Sequence, residues 1–128
     1  MLQILCPAEQ KQAIVNWIIA EDTRLFHDVE REFGGPKDGH AGIFDIEENV
    51  NGMTIDCGED EFYFRGHSMP AEVEGFVRAL KKKFPAVGME GTLYVSDQNG
   101  DVEYEIRKKA GSGRLYITNI NDEDEDDE

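Results

Sequence analysis

The chain has 128 residues, with 28 Asp and Glu against 13 Lys and Arg for a net charge of −15, and 39% of its residues are hydrophobic. That length suits one domain, able to bury about two thirds of its unfolded surface without a disulfide or metal staple. The charge excludes a generic DNA or RNA binder, because such affinity comes from Lys and Arg displacing counterions from phosphates.

The start, Met1 to Cys6, alternates Leu2, Ile4 and Cys6 against Met1, Gln3 and Leu5, as a short strand does, and Pro7 ends it. Pro7 also suits the first turn of a following helix, where Glu9 complements the helix dipole. Ile14, Trp17, Ile18, Leu25, Val29 and Phe33 recur at helical spacing, and Gly34-Gly35-Pro36 stops the element. Glu21-Asp22-Thr23 interrupts that stripe. Asp22 or Thr23 is placed to cap a second helical piece, so the spacing predicts a kinked helix or two helices meeting there.

Ala41 to Val50 and Met53 to Cys57 read as the strands of a hairpin turning at Asn51-Gly52, the dipeptide best suited to positive φ angles. Phe62-Tyr63-Phe64 either extends the second strand across a bulge or forms its own short strand. Ser68 or Met69 then stands near a helix cap, with Pro70 and Glu72 in the first turn. Val73, Phe76, Val77 and Leu80 supply the apolar stripe, Lys81-Lys82-Lys83 the last turn, and Phe84-Pro85 the stop. Three further segments alternate with period two, namely Gly91 to Asp97, Asp101 to Lys108 and Arg114 to Ile120, joined at Asn99-Gly100 and Gly111-Ser112-Gly113.

The order βαββαβ with one or two added strands predicts an α+β fold of the ferredoxin-like, split βαβ kind, with both helices on one sheet face. Residues 1–121 form the single expected domain. Asp122 to Glu128 are seven consecutive acids with nothing apolar to bury, a composition that predicts a disordered tail, and without them the charge is −8. The segment Pro70 to Tyr104, a helix closing in Lys83-Phe84-Pro85 followed by paired strands, resembles the YubB ferredoxin-like domains of plasmid- and phage-borne proteins. The resemblance covers about a quarter of the chain and implies a mobile-element origin; it carries no functional motif.

Residues with chemical potential are few. Cys6 and Cys57 are too few and too far apart for a disulfide framework or a zinc site, and both read as buried thiols. His27, His40 and His67 lie in separate segments and form no helical ligand pair. Asp97 to Glu103 carries oxygen side chains at alternating positions, yet its glycine does not fall where a calcium loop needs it. Asp56, Glu59, Asp60 and Glu61 read as a solvated acidic loop, and Gly34 to Gly39 follows a helix instead of opening one, so it is no phosphate loop. No metal or cofactor is expected. Without a basic n-region or a span of about 20 apolar residues, the expected location is the cytoplasm, with no membrane partner.

What the sequence offers is its distribution of acids. On one face of a strand, i and i+2 lie about 6.8 Å apart, so Asp101, Glu103 and Glu105 form a negative row on the scale of successive phosphates. With Glu47, Glu48, Glu59, Asp60 and Glu61, that row suits a protein partner with a basic, nucleic-acid-binding surface. The first expectation is therefore a non-enzymatic inhibitor of that surface, of the anti-defence, anti-CRISPR kind. The alternatives are an assembly module pairing an edge strand, Arg114 to Ile120, and a ferredoxin-like enzyme or ligand binder using His67, His40 or Asp56.

Overall fold

The computed structural model describes residues 1–26, 29–31, 43–57, 62–64, 69–97, 100–111 and 113–120. In chain order the elements are β1 (Leu2–Leu5), a single 3-10 turn (Ala8–Gln10), α1 (Lys11–Phe26), β2 (Val29–Arg31), β3 (Phe44–Asn49) and β4 (Gly52–Cys57). They continue with β5 (Phe62–Phe64), α2 (Met69–Lys83), β6 (Gly88–Asp97), β7 (Gly100–Lys108) and β8 (Tyr116–Asn119). Six strands make one sheet in the order β3-β4-β1-β6-β7-β8, antiparallel throughout, while β2 and β5 form a separate antiparallel pair. The chain is thus α+β.

β1 lies inside the sheet, between β4 and β6, so its inward residues Leu2 and Ile4 are fully buried. Both helices cover the face to which these residues point. Val73, Phe76, Val77 and Leu80 of α2 are buried, as are Ile14, Ile18 and Leu25 of α1. Trp17 joins the helices, stacking on Phe76 with ring centroids 5.6 Å apart and meeting Phe84 edge-on at 6.1 Å. Phe76 in turn packs on Phe44 of β3 at 4.7 Å, which ties the helix layer to the sheet.

Three expectations need correction. α1 is continuous through Glu21-Asp22-Thr23, and Asp22, far from capping a second helix, is buried within it. Its carboxylate accepts the backbone N–H of Ile43 at 2.6 Å and of Phe44 at 3.3 Å, so it fastens the helix to the start of β3. The helix also stops at Phe26, and Val29, placed in the helical stripe by spacing alone, lies in β2 opposite Phe64. Tertiary strand pairing overrides the periodicity there, and Phe62–Phe64 is a strand of its own. Finally, Asn49 pairs with Gly52, so the hairpin turns at Val50-Asn51 and Gly52 is the first residue of β4. Glycine is required at 52 for a different reason: at φ 153° a Cβ would sit 2.0 Å from the Ile4 carbonyl oxygen of β1.

The remaining expected elements agree closely. α2 runs from Met69 with Lys81, Lys82 and Lys83 in its last turn, where cations meet carbonyls without helical partners. Beyond it, Lys108 of β7 turns inward and is 5% exposed. Its ammonium donates to the carbonyls of Val87 (2.6 Å), Pro85 (2.7 Å), Gly111 (3.0 Å) and Lys109 (3.2 Å), clamping the turn after α2 to the β7–β8 connection. Burial, and secondarily the charge of Lys81, lower its pKa. No helix among the described residues is long and apolar enough to cross a membrane. Gly34–Gly39, the three histidines and the acidic tail lie outside the described residues.

The Asp22 clamp predicts a measurable loss. Asp22→Ala leaves two buried backbone donors without their acceptor and should destabilise the fold by about 2–4 kcal/mol in urea unfolding. Thr23→Ala, on the exposed side of the same helix, should change stability by no more than about 0.5 kcal/mol.

Candidate partner-binding face

In an antiparallel sheet, residues directly opposite one another share a face. Leu2 opposes Ile55 and Gly91, and Gly91 opposes Ile106, so these positions look toward the helices. The alternate positions form the open face: Glu47 opposes Thr54, which opposes Gln3, and the row continues through Glu90, Arg107 and Tyr116. The neighbouring row carries Asp45, Asp56, Met1's flank, Thr92, Glu105 and Thr118, and beyond it Glu103 opposes Tyr94.

This register gathers Asp45, Glu47, Asp56, Glu90, Asp101, Glu103 and Glu105 on one side of the sheet, where Arg107 is the single base contributed by the strands among the described residues. Asp45 and Asp56 are direct cross-strand neighbours, a like-charge pairing that costs stability. The amino terminus lies 3.8 Å from Asp56 Oδ1 and partly offsets it. Glu105 approaches Arg107 at 3.9 Å, and the Arg107 guanidinium stands 5.7 Å from the Tyr116 ring centroid. Tyr94 donates its phenolic hydrogen to Asp101 Oδ2, and this bond, with slight desolvation and the charges of Asp101 and Glu103, raises the phenol's pKa. Asp45, Glu47, Glu90 and Glu103 form no ion pair with any described residue.

The face is not uniform. Tyr94 and Tyr116 are about half exposed (50% and 51%), so two aromatic rings stand among the carboxylates. At the end where β7 leaves the sheet, Glu90, Arg107, Lys109, Arg114 and Tyr116 surround a hollow of about 700 Å³. Negative charge thus dominates the middle of the face and bases collect at one end.

Of the acids singled out by sequence, Asp101, Glu103, Glu105 and Glu47 share this face, Glu47 lying four strands away, or about 19 Å at about 4.8 Å per strand. Glu48 has the opposite parity and points to the helix side from the exposed rim of β3. Glu59, Asp60 and Glu61 lie outside the described residues, as do His40 and His67. Asp45 and Glu90 were not anticipated. The alternation of their own strands contains them, but only the pairing of β3 with β4 and of β1 with β6 brings them beside the rest.

Cys57 is on the helix side opposite Phe44. Burial, and then the charges of Asp56, Asp22 and Asp45, push its thiol up to about 12, the reverse of what a nucleophile needs. Among the described residues no group of three His, Cys, Asp or Glu side chains is placed to hold a metal ion. Comparison with protein-family models, with curated proteins and with solved structures finds no match to this chain.

The Cys57 thiol has a pH signature. Its folded pKa, about 12, exceeds the ordinary 9.0, so the contribution to stability is complete below pH 9 and disappears as pH rises toward 12. Cys57→Ala should flatten that part of the alkaline stability curve. In the native protein at pH 8, a thiol reagent should modify Cys57 far more slowly than after unfolding.

Proposed function

We propose that this chain is a small non-enzymatic binding protein that presents the open face of its sheet to a basic surface on a protein partner, and that it acts as an inhibitor by occupying a surface used for nucleic acid. The observation that carries the reading is the collection of Asp45, Glu47, Asp56, Glu90, Asp101, Glu103 and Glu105 on the side of the sheet that the helices leave uncovered. Asp45, Glu47, Glu90 and Glu103, which form no ion pair with any described residue, keep their attraction for a basic groove, which accelerates encounter and fixes orientation. Tyr94 and Tyr116 add the aromatic contact area that anchors protein interfaces.

In this reading β1, α1, β3, β4, α2 and β6 form a ferredoxin-like core, supported by the strand order β3-β4-β1-β6, and β7 and β8 widen its open face. We propose a phage or mobile-element setting, with anti-defence activity of the anti-CRISPR kind: the charge pattern supports the activity, and the YubB resemblance of Pro70 to Tyr104 supports the setting alone.

The test is capture on immobilised protein from lysate, with a salt gradient and added DNA as eluents. A nucleic-acid-binding protein should elute at moderate salt and be displaced by DNA. Combined Asp101→Lys, Glu103→Lys and Glu105→Lys should slow its association about tenfold or more, chiefly through the on-rate. Unchanged association would overturn the assignment of this face.

A further inference from the structure

The two edges of the sheet are built differently. β3, one edge, carries Asp45, Glu47 and Glu48, and charges of this kind keep other strands away. β8, the other, belongs to a seven-residue stretch, Leu115 to Asn121, with no charged side chain and no proline in a chain that is 32% charged. Within that stretch the sequence carries neither the charge nor the proline that commonly protects an edge, and the strand's shortness is the one protection its described residues show.

The ladder of β8 also fixes which backbone groups face outward. Its register with β7 runs from Arg107 opposite Tyr116 to Tyr104 opposite Asn119, and the Ile120 N–H donates to the Glu103 carbonyl at 2.8 Å. Because bonded and non-bonded pairs alternate, Tyr116, Thr118 and Ile120 are bonded to β7, and the N–H and C=O of Ile117 point away from it. On the open face, Tyr116 and Ile120 are exposed by 51% and 40%.

We propose that β8 pairs antiparallel with β8 of a second copy of this chain, about a two-fold axis through Thr118. The ladder spans 116 to 120, so Thr118 is its centre, and only a register that preserves faces keeps the sheet continuous. That register is self-complementary. Tyr116 stands opposite Ile120 of the second copy, twice by symmetry, and Thr118 stands opposite Thr118, both favourable cross-strand pairings. The pairing would join two open faces into one sheet, but it does not rest on the partner proposed for that face. A short ladder buries little area, and the dimer belongs with transient interfaces of less than about 1,200 Å².

The test uses the full chain. In sedimentation, the mass should rise from 14.5 kDa toward twice that value over about a hundredfold increase in concentration. Thr118→Cys should form a disulfide-linked dimer under mild oxidation, because opposed Cα atoms in a non-bonded pair are about 4.5 Å apart. Glu47→Cys, on the other edge, should not, and this control carries the same native Cys6 and Cys57. Thr118→Lys should remain monomeric at every concentration while its thermal unfolding is unchanged, since Thr118 is exposed beside Glu105. A wild-type chain that stays monomeric, a Thr118→Cys protein that cross-links no faster than the Glu47→Cys control, or a Thr118→Lys protein that still dimerises would each overturn the proposal.

Discussion

Two helices suffice to cover one face of a six-stranded sheet and leave the other to solvent, and this one-sidedness organises the molecule. Strands covered on one side must alternate apolar with polar residues, and the alternation is visible in β7, where Val102, Tyr104 and Ile106 turn inward while Asp101, Glu103 and Glu105 turn outward. The apolar half is consolidated by the aromatic chain from Trp17 through Phe76 to Phe44. The polar half has no such internal demand, so its composition is free to serve something other than folding.

Two buried charges show how the covered side is held in place. Asp22 accepts two backbone N–H groups at the start of β3, and Lys108 donates to four carbonyls around the end of α2. Each satisfies main-chain groups at a chain entry or exit, where regular ladders end, and each meets its desolvation cost with charge-assisted hydrogen bonds. These contacts set the position of β3 and β7 relative to the helices. They thereby set the geometry of the acidic face on the reverse of the same strands.

On that reverse face the cost of crowding carboxylates is accepted without full compensation. Asp45 opposes Asp56, whose carboxylate has the amino terminus 3.8 Å away, while Glu47, Glu90 and Glu103 pair with no described cation and are left to solvent and screening. Solubility alone does not require that the acids share one face, because charges on either side of a molecule resist association. The two edges of the sheet differ in the same respect, β3 carrying Asp45, Glu47 and Glu48 and β8 no charged side chain.

Local chemistry was sufficient to read the α+β class, α2 with its Lys-rich end, the meander of β6, β7 and β8, and the outward row Asp101, Glu103 and Glu105, because each follows from period-two or period-3.6 patterning and from Gly and Pro stops. Glu47 was legible as an acid on a strand, but Asp45 and Glu90 join the site only through strand pairing between residues far apart in sequence. The end of α1, the strand at Val29 and the role of Asp22 were also beyond local reading: helical spacing continues past Phe26, and a carboxylate before an apolar run looks the same whether it caps a helix or clamps a distant strand. Gly52 makes the point most simply. The sequence by itself determined that a tight connection and a glycine occur there, whereas the tertiary structure decided that the glycine serves the approach of β1, since the carbonyl of Ile4 occupies the space a side chain would need.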